Sequence, residues 1–485
     1  MSIKSEEMVL DNSGEIVLSG EVSVLSKFRN IIKSILERSG RGLSILERAS
    51  TEIETHRGVI DNVLKTTKSP WKNDDIINGN LPEWDELKEF IANKKTPFLV
   101  LNIDLIRDKY FELRENFPQC DIFYAMKANP EKEVLNVLRK LGSNFDVASK
   151  EELDSVLKLG VSTDRVSFGN TIKKEADIDY AYKKGVRLFA CDSIEDLGKL
   201  QRKAPGANIF FRLLVDGAKT ADWPLSEKFG SSYEMTFQLI KRALENGQIP
   251  YGLSFHVGSQ QKDVTAWDSA IGLCKKMFDD VKNELDHNLQ LINLGGGFPA
   301  QYTDAVPRIE EYATHINNYI KKYFGDNQDL RILLEPGRSI VGDSGVIVSE
   351  VVMASRKYES GPKWVYLDVG KFHGLAETMT SPGETNECIK YPFYTDNEND
   401  AKEPCIVAGR TCDSMDILYQ DSKIALPTGI KSGDKVYICS TGAYTTTYSS
   451  IGFNGFKPLD AYVFKKSTVN FALLNKAYSN FLSLF

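Results

Sequence analysis

Lysine, carboxylate and glycine residues fall at the ends of strand-like runs through the middle of the chain. Lys127 and Asn129 follow DIFYAM (121–126), Asp146 lies in SNFDVAS (143–149), and Arg212 lies in NIFFRLLV (208–215). His256 ends GLSFHV (252–257), with Ser259 just beyond it. Gly295-Gly296-Gly297 closes LQLINLGG (289–296), and Glu335-Pro336-Gly337-Arg338 closes LRILLEPG (330–337). The triple glycine offers backbone N–H groups in a turn that other residues resist, a nest for an anion. Arg338 can fork two N–H groups onto phosphate oxygens. A buried lysine and a phosphate nest on one rim point to pyridoxal phosphate, held by its phosphate and through an imine on Lys127. Glu335 against the pyridine nitrogen keeps that nitrogen protonated, which makes the ring an electron sink. His256, one of 5 His, is either a satisfied core histidine or a flat ring stacked on the cofactor.

The elements that must position these residues alternate. Besides the runs above, RVSFGN (165–170) and VRLFAC (186–191) read as strands, giving eight in about 230 residues. Between them lie helical patterns such as EKEVLNVLRKLG, KEELDSVLKLG, EADIDYAYKKG, IEDLGKLQRK and AWDSAIGLCKKMFDDVKNEL, several stopping at Gly after Lys. That alternation predicts a (β/α)8 TIM-type barrel, with an open doubly wound sheet as the other solution. The loops after the seventh and eighth strands, where the glycines and Arg338 stand, are the usual phosphate position of such barrels.

After about residue 340 the helical pattern nearly vanishes. GVIVSEVVMAS, KWVYLDVG, PCIVAGRT, DKVYICSTGAYT and DAYVF alternate or are β-branched between Gly-, Pro- and Asn-rich turns, which predicts an antiparallel β-domain. PFLVLNI (97–103) reads as a leading strand of that domain. Residues 1–95 differ again. Leu25, Phe28, Ile32, Ile35 and Leu36 share one helical face, and Leu43, Leu46, Ile53, Ile60 and Leu64 another, before a linker at 67–84. The expected organisation is thus a helical extension and linker (1–95), a barrel with its leading strand (96–342) and a β-domain (343–485).

Composition narrows the class. The 485 residues carry a net charge of −7, without the basic footprint that nucleic acid or an anionic membrane surface requires. The 7 Cys form no CxxC pair, so neither a zinc cluster nor a disulfide framework is expected, and no metal site is assigned. No run of about 18 apolar residues is present, and the acidic start lacks a signal-peptide core. The expectation is a cytoplasmic enzyme acting on a small molecule.

FYAMKANP (123–130), NFDVASKEEL (144–153), SFHVGSQ (254–260), LGGGFP (294–299), LEPGRSI (334–340), TCDSMDILY (411–419) and GAYTTTY (442–448) resemble, in order, the fold-type III basic amino-acid decarboxylases. These are the ornithine/lysine decarboxylases and their diaminopimelate and arginine cousins. The resemblance covers about residues 95–470. It implies Lys127 as the imine lysine, supported by Asp146 and Glu152, with Arg212 by the cofactor and His256 on its ring. It implies Glu335 at the pyridine nitrogen and Ser259, Gly295, Gly296, Gly297, Gly337, Arg338 and Tyr444 at the phosphate. Cys412 is implied as proton donor and Asp413 as the contact to the substrate's distal ammonium. Both would come from the other subunit of a two-fold homodimer with shared sites.

Diaminopimelate decarboxylases carry Glu after the Cys, so Asp413 favours a plain diamino acid, ornithine or lysine, giving putrescine or cadaverine. Arg410 stands where the family usually has Pro, and Glu377 is a candidate for a second acidic contact to the distal amine. The alternatives are a dedicated decarboxylase of a modified or carrier-linked diamino acid docked by residues 1–95, a diaminopimelate-type enzyme, and a non-catalytic homologue.

Overall fold

The computed structural model describes Val9–Leu10, Ile16–Val17 and residues 84–465, apart from 217–219, 224–226, 328, 380–388, 397–400 and 420–421. The chain divides into two compact units, residues 1–68 with 468–485 and residues 69–467. In the first, Val9–Leu10 pairs antiparallel with Ile16–Val17. The amphipathic helices expected between 25 and 64, and the linker before Trp84, lie outside the described residues.

The second unit holds the barrel. Its eight parallel strands run in chain order: Cys120–Ala125, Asn144–Val147, Val166–Phe168, Leu188–Cys191, Asn208–Arg212, Ile249–Ser254, Leu291–Asn293 and Arg331–Leu334. The eighth closes on the first through Ile332 beside Cys120 and Leu334 beside Ile122. Such strands are covered by helices outside and filled by side chains inside, so they read as continuous apolar runs. Phe123, Leu188, Phe210, Leu291 and Leu333 pack together as one buried cluster. The expected helices form at Lys132–Lys140, Lys150–Lys158, Glu175–Lys184, Ile194–Lys203 and Ala266–Leu285. Gly185 ends one of them at φ 108°, the left-handed stop that glycine supplies without strain.

The β-domain is built on one long strand, Gly345–Arg356. It pairs antiparallel with Lys435–Cys439, with Lys363–Leu367 and with Phe98–Asn102, the strand that precedes the barrel. The domain is mixed rather than wholly antiparallel. Lys363–Leu367 runs parallel to Lys402–Ala408, and Phe98–Asn102 runs parallel to Asp460–Phe464. Parallel neighbours need long connections; here the chain supplies one by way of the loop after Leu367 and the other by way of the whole barrel. The helix Trp84–Ile91 belongs to this domain's core, with Leu87 and Ile91 buried against Phe98, Val100, Val346 and Tyr437.

Candidate active site at the barrel rim

Lys127 sits in the 3-10 turn Met126–Ala128 directly after the first barrel strand. The reading from sequence has it buried; in the structure it is exposed. Its ammonium makes no hydrogen bond or ion pair among the described residues, yet it influences Asp146, Glu152 and His256 electrostatically. Barrel closure brings Asp146, Arg212, His256 and Glu335 to the same rim, from the second, fifth, sixth and eighth strands. Asp146 accepts from Ser167 Oγ over 2.9 Å. Burial, then the Glu335 carboxylate, pushes the Asp146 carboxyl well above the ordinary carboxylate range against the pull of Lys127. Glu152 accepts from the Ala148 N–H over 2.6 Å and is likewise raised by burial. Burial lowers Arg212, with Glu335 and Asp146 opposing.

His256 Nδ1 accepts from the Gly258 N–H over 3.1 Å, which leaves Nε2 to carry the proton of the neutral ring. Burial, then the charges of Arg212 and Lys127, hold this imidazole well below its ordinary value, so it is neutral at pH 7. Glu335 is oriented by Asn293, whose Nδ2 donates to Oε1 over 2.6 Å. Asn293 also accepts from the Gly295 N–H over 2.9 Å and so ties the carboxylate to the glycine turn. Sequence reasoning passed over Asn293, although a buried amide two residues before the first glycine was a usable signal.

The glycine turn is shaped by close approach. Gly295 and Gly297 have φ of 67° and 106°. A Cβ on Gly296 would lie 2.5 Å from the Glu335 carbonyl oxygen and 3.4 Å from His256 Nε2, and one on Gly337 2.9 Å from Ala128 Cβ. The N–H groups of Gly296 and Gly297 make no hydrogen bond among the described residues. The β-domain closes the far side: Tyr444 donates its N–H to the Ala128 oxygen over 2.9 Å, and Asn129 Nδ2 donates to the Gly442 oxygen over 2.7 Å. Burial pushes the Tyr444 phenol up to about 12, so it stays protonated. Free amide donors, a protonated phenol and an exposed lysine fit a phosphorylated aldehyde.

Arg338 does not present the two-pronged fork expected of it. Its Nη1 and Nη2 donate to both oxygens of Glu377, over 2.8 and 2.5 Å, and Nη1 also to Tyr302 Oη over 2.7 Å. Nε donates to Ser259 Oγ over 3.1 Å, and the Tyr444 ring centroid lies 4.8 Å from the guanidinium carbon. One N–H, on Nη2, is left for a ligand. Burial opposes the Arg338 charge, but Glu377 and Tyr302 outweigh it and the guanidinium ends well above its ordinary value. Glu377 is only 1% exposed. It is therefore corrected from a distal-amine contact to the counter-ion of Arg338.

Cys412 and Asp413 are exposed in a β-domain loop. Among the described residues, no hydrogen bond or ion pair joins either to the Lys127 group. Their loop is pinned by buried Asp416, which accepts from the Lys371 N–H over 2.8 Å, the Thr411 N–H over 3.2 Å and Thr411 Oγ1 over 2.6 Å. The Asp413 carboxylate accepts from the Met415 N–H over 2.8 Å. Arg410, the departure from the family's Pro, lays its guanidinium 3.9 Å from the Phe456 ring centroid.

A closed parallel barrel with this rim and an attached β-domain defines a fold-type III pyridoxal-phosphate enzyme. Residues 103–342 match the family described as pyridoxal-dependent decarboxylase, pyridoxal binding domain. The lysine/ornithine decarboxylase of Selenomonas ruminantium is 32% identical over 372 residues, spanning 76% of this chain and 90% of that protein. The ornithine decarboxylase of Schizosaccharomyces pombe is 32% identical over 420 residues, spanning 84% and 93%. Among solved structures, a lysine/ornithine decarboxylase complexed with cadaverine from Vibrio vulnificus matches with TM-score 0.70 and 29% identity, covering 79% of this chain and 98% of that one. The chain belongs to the pyridoxal-phosphate-dependent basic amino-acid decarboxylases, and pyridoxal phosphate is its cofactor.

Proposed function

We propose that the protein removes the α-carboxylate of a basic L-diamino acid, ornithine or lysine, releasing CO2 and putrescine or cadaverine. The observation that carries this reading is the convergence on one rim of Asn293-braced Glu335 with Lys127 and the amides of Gly296 and Gly297, which have no hydrogen-bond partner among the described residues. Pyridoxal phosphate, when bound, supplies the electron sink that lets the Cα–carboxylate bond break. Lys127 Nζ anchors it, with Asp146 and Glu152 setting the charge around that amine. With the cofactor bound, Glu335 would keep the ring nitrogen protonated, and Arg212 and neutral His256 would contact the ring. Gly295, Gly296, Gly297, Gly337, Ser259, Tyr444 and the remaining N–H of Arg338 hold the phosphate.

Cys412 Sγ delivers a proton to the substrate carbon that has lost CO2, and Asp413 binds the distal ammonium. Both act in the partner subunit's site of a two-fold homodimer, which accords with their exposure in the single chain. The domain limits near residues 95 and 342, and assembly or docking through residues 1–95, belong to the same proposal. So does a cytoplasmic, reduced setting, with which the six free thiols among the described residues accord.

The test is CO2 release from ornithine and from lysine by the full chain, with an Asp413→Ala comparison. Wild type is expected to turn over at least one of them. Truncating one member of a buried charge pair costs about 2–5 kcal/mol, so Asp413→Ala should raise KM by roughly 30-fold or more. No turnover of either amino acid by cofactor-loaded protein would overturn the substrate assignment, and an unchanged KM would overturn the role of Asp413.

A further inference from the structure

Cys412 is the one exposed thiol among the six described; Cys120, Cys191, Cys274, Cys405 and Cys439 are buried. It does not stand alone. Asn454 Nδ2 donates to Cys412 Sγ over 3.1 Å, and Asn454 Oδ1 accepts from the Cys412 backbone N–H, also over 3.1 Å. Both ends of one amide are engaged by a residue 42 positions away. The turn that presents this amide is unusual. Asn454 has φ 50°, and Gly452 and Gly455 beside it both have φ 76°. Asparagine tolerates that left-handed conformation better than most L-residues. Phe453 packs on Phe372 at 4.8 Å between centroids, and Phe456 lies between Arg410 and His373. One flank of the turn is therefore held against Arg410 of the loop that carries Cys412, and both flanks against the segment at Phe372 and His373.

A thiolate accepts hydrogen bonds far better than a thiol, so an N–H aimed at sulfur favours the deprotonated form. The companion bond to the Cys412 N–H fixes the backbone from which Sγ projects, so the sulfur has one orientation. A purely structural turn residue need only satisfy the N–H; the second bond, to sulfur, is what a structural role leaves unexplained.

We propose that Asn454 is the positioning residue of Cys412: it aims Sγ and stabilises the thiolate left when the proton is delivered. The inference rests on the reading of Cys412 as proton donor. In that step the S–H bond breaks, the proton joins the carbon that has lost CO2, and the thiolate regains a proton from water before the next turnover. Arg410, Asp413 and Asp416 share the loop, while His373 lies on a neighbouring segment against Phe456 of the Asn454 turn. All four are unchanged in the variants below, so a difference between variants reports Asn454 alone.

Asn454→Gly removes the amide without straining φ 50°, and Asn454→Asp keeps the acceptor for the Cys412 N–H while replacing the donor to sulfur by an anion. The holoenzyme is alkylated with iodoacetamide at pH 6–10, and modification of the Cys412 peptide is followed by mass spectrometry. The midpoint of the rate is expected to rise by about half a unit or more in Asn454→Gly, and further in Asn454→Asp. In both variants kcat should fall about tenfold with KM within twofold, since the proton-transfer step alone is affected. Equal midpoints in wild type and both variants would overturn the proposal, as would a wild-type Cys412 that resists alkylation throughout. Alkylation reads the thiol without turnover, so a fully active Cys412→Ala would remove the proton-donor role yet leave the action of Asn454 on sulfur separately measured. If Asn454→Gly does not fold, Asn454→Asp decides.

Discussion

Glu335 lies at the centre of the rim, its carboxylate held 2.6 Å from Asn293 Nδ2 and its charge felt by Asp146 and Arg212. A preorganised charge opposite a developing one is worth a large factor in rate, so Glu335→Ala should lose about 10²-fold or more in kcat. Stopped-flow or steady-state kinetics on cofactor-loaded protein measures this, and a near-native rate would exclude Glu335 from the ring nitrogen. His256 gives a second test through stability. Its folded-state value lies well below the ordinary 6.5, so as pH falls through 6.5 the unfolded chain takes up a proton that the folded chain refuses. Its contribution is present above that pH and is lost as pH falls. Asp146, held well above its ordinary value, has the opposite sign: its contribution is present at pH below 3.8 and is lost as pH rises through its folded-state value. Urea unfolding at pH 7.5 and 5.5 should show a smaller pH-linked loss in His256→Gln than in wild type.

At the scale of elements, the loop after the eighth strand and the turn Ala376–Thr378 are locked by the Arg338–Glu377 pair, whose side chains are 3% and 2% exposed. Removing one partner leaves an uncompensated buried charge, which costs on the order of 3–5 kcal/mol. Glu377→Ala should therefore lower unfolding stability by about that amount and weaken cofactor retention. Glu377→Gln keeps the shape and one acceptor and should lose less. Chemical denaturation of both variants checks this, and an Ala variant as stable as wild type would mean that the pair is dispensable. The same logic explains why Arg338 is a poor anion fork here. Its charge is already balanced by Glu377 from the β-domain side.

The whole molecule raises the question of completeness. Lys127 and Cys412 belong to one compact unit, yet Cys412 and Asp413 are exposed, and no hydrogen bond or ion pair among the described residues joins them to the Lys127 group. A two-fold dimer in which each β-domain completes its partner's barrel would resolve this. Mixing Lys127→Ala with Cys412→Ala then yields hybrids in which one site carries both lesions and the other neither. With random exchange about half the dimers are hybrids, so roughly a quarter of wild-type activity should return by symmetry. Native mass spectrometry establishes whether subunits exchange. If they do and activity stays at the sum of the separate mutants, Cys412 serves its own chain.

The eight barrel strands and their helices were readable in the sequence because strands buried on both faces leave continuous apolar runs, and helices leave a 3.6-residue period with glycine stops. The positions of Lys127, His256, the triple glycine and Glu335 were readable for a related reason: polar residues at the end of such runs must emerge on one rim. What the chain does between distant segments was not readable. Asn293 with Glu335, Arg338 with Glu377 and Cys412 with Asn454 lie about 40 residues apart, and no local period relates them. The strand Lys402–Ala408 was expected from its composition, but its parallel run beside Lys363–Leu367 was not, because strand direction follows from the connection and not from the side chains. Nor could the apolar run before the barrel reveal that Phe98–Asn102 lies between Gly345–Arg356 and Asp460–Phe464. Local pattern determined which elements exist and which residues their ends carry. Tertiary packing decided which charges meet, because a buried charge takes whatever partner the folded chain brings within reach.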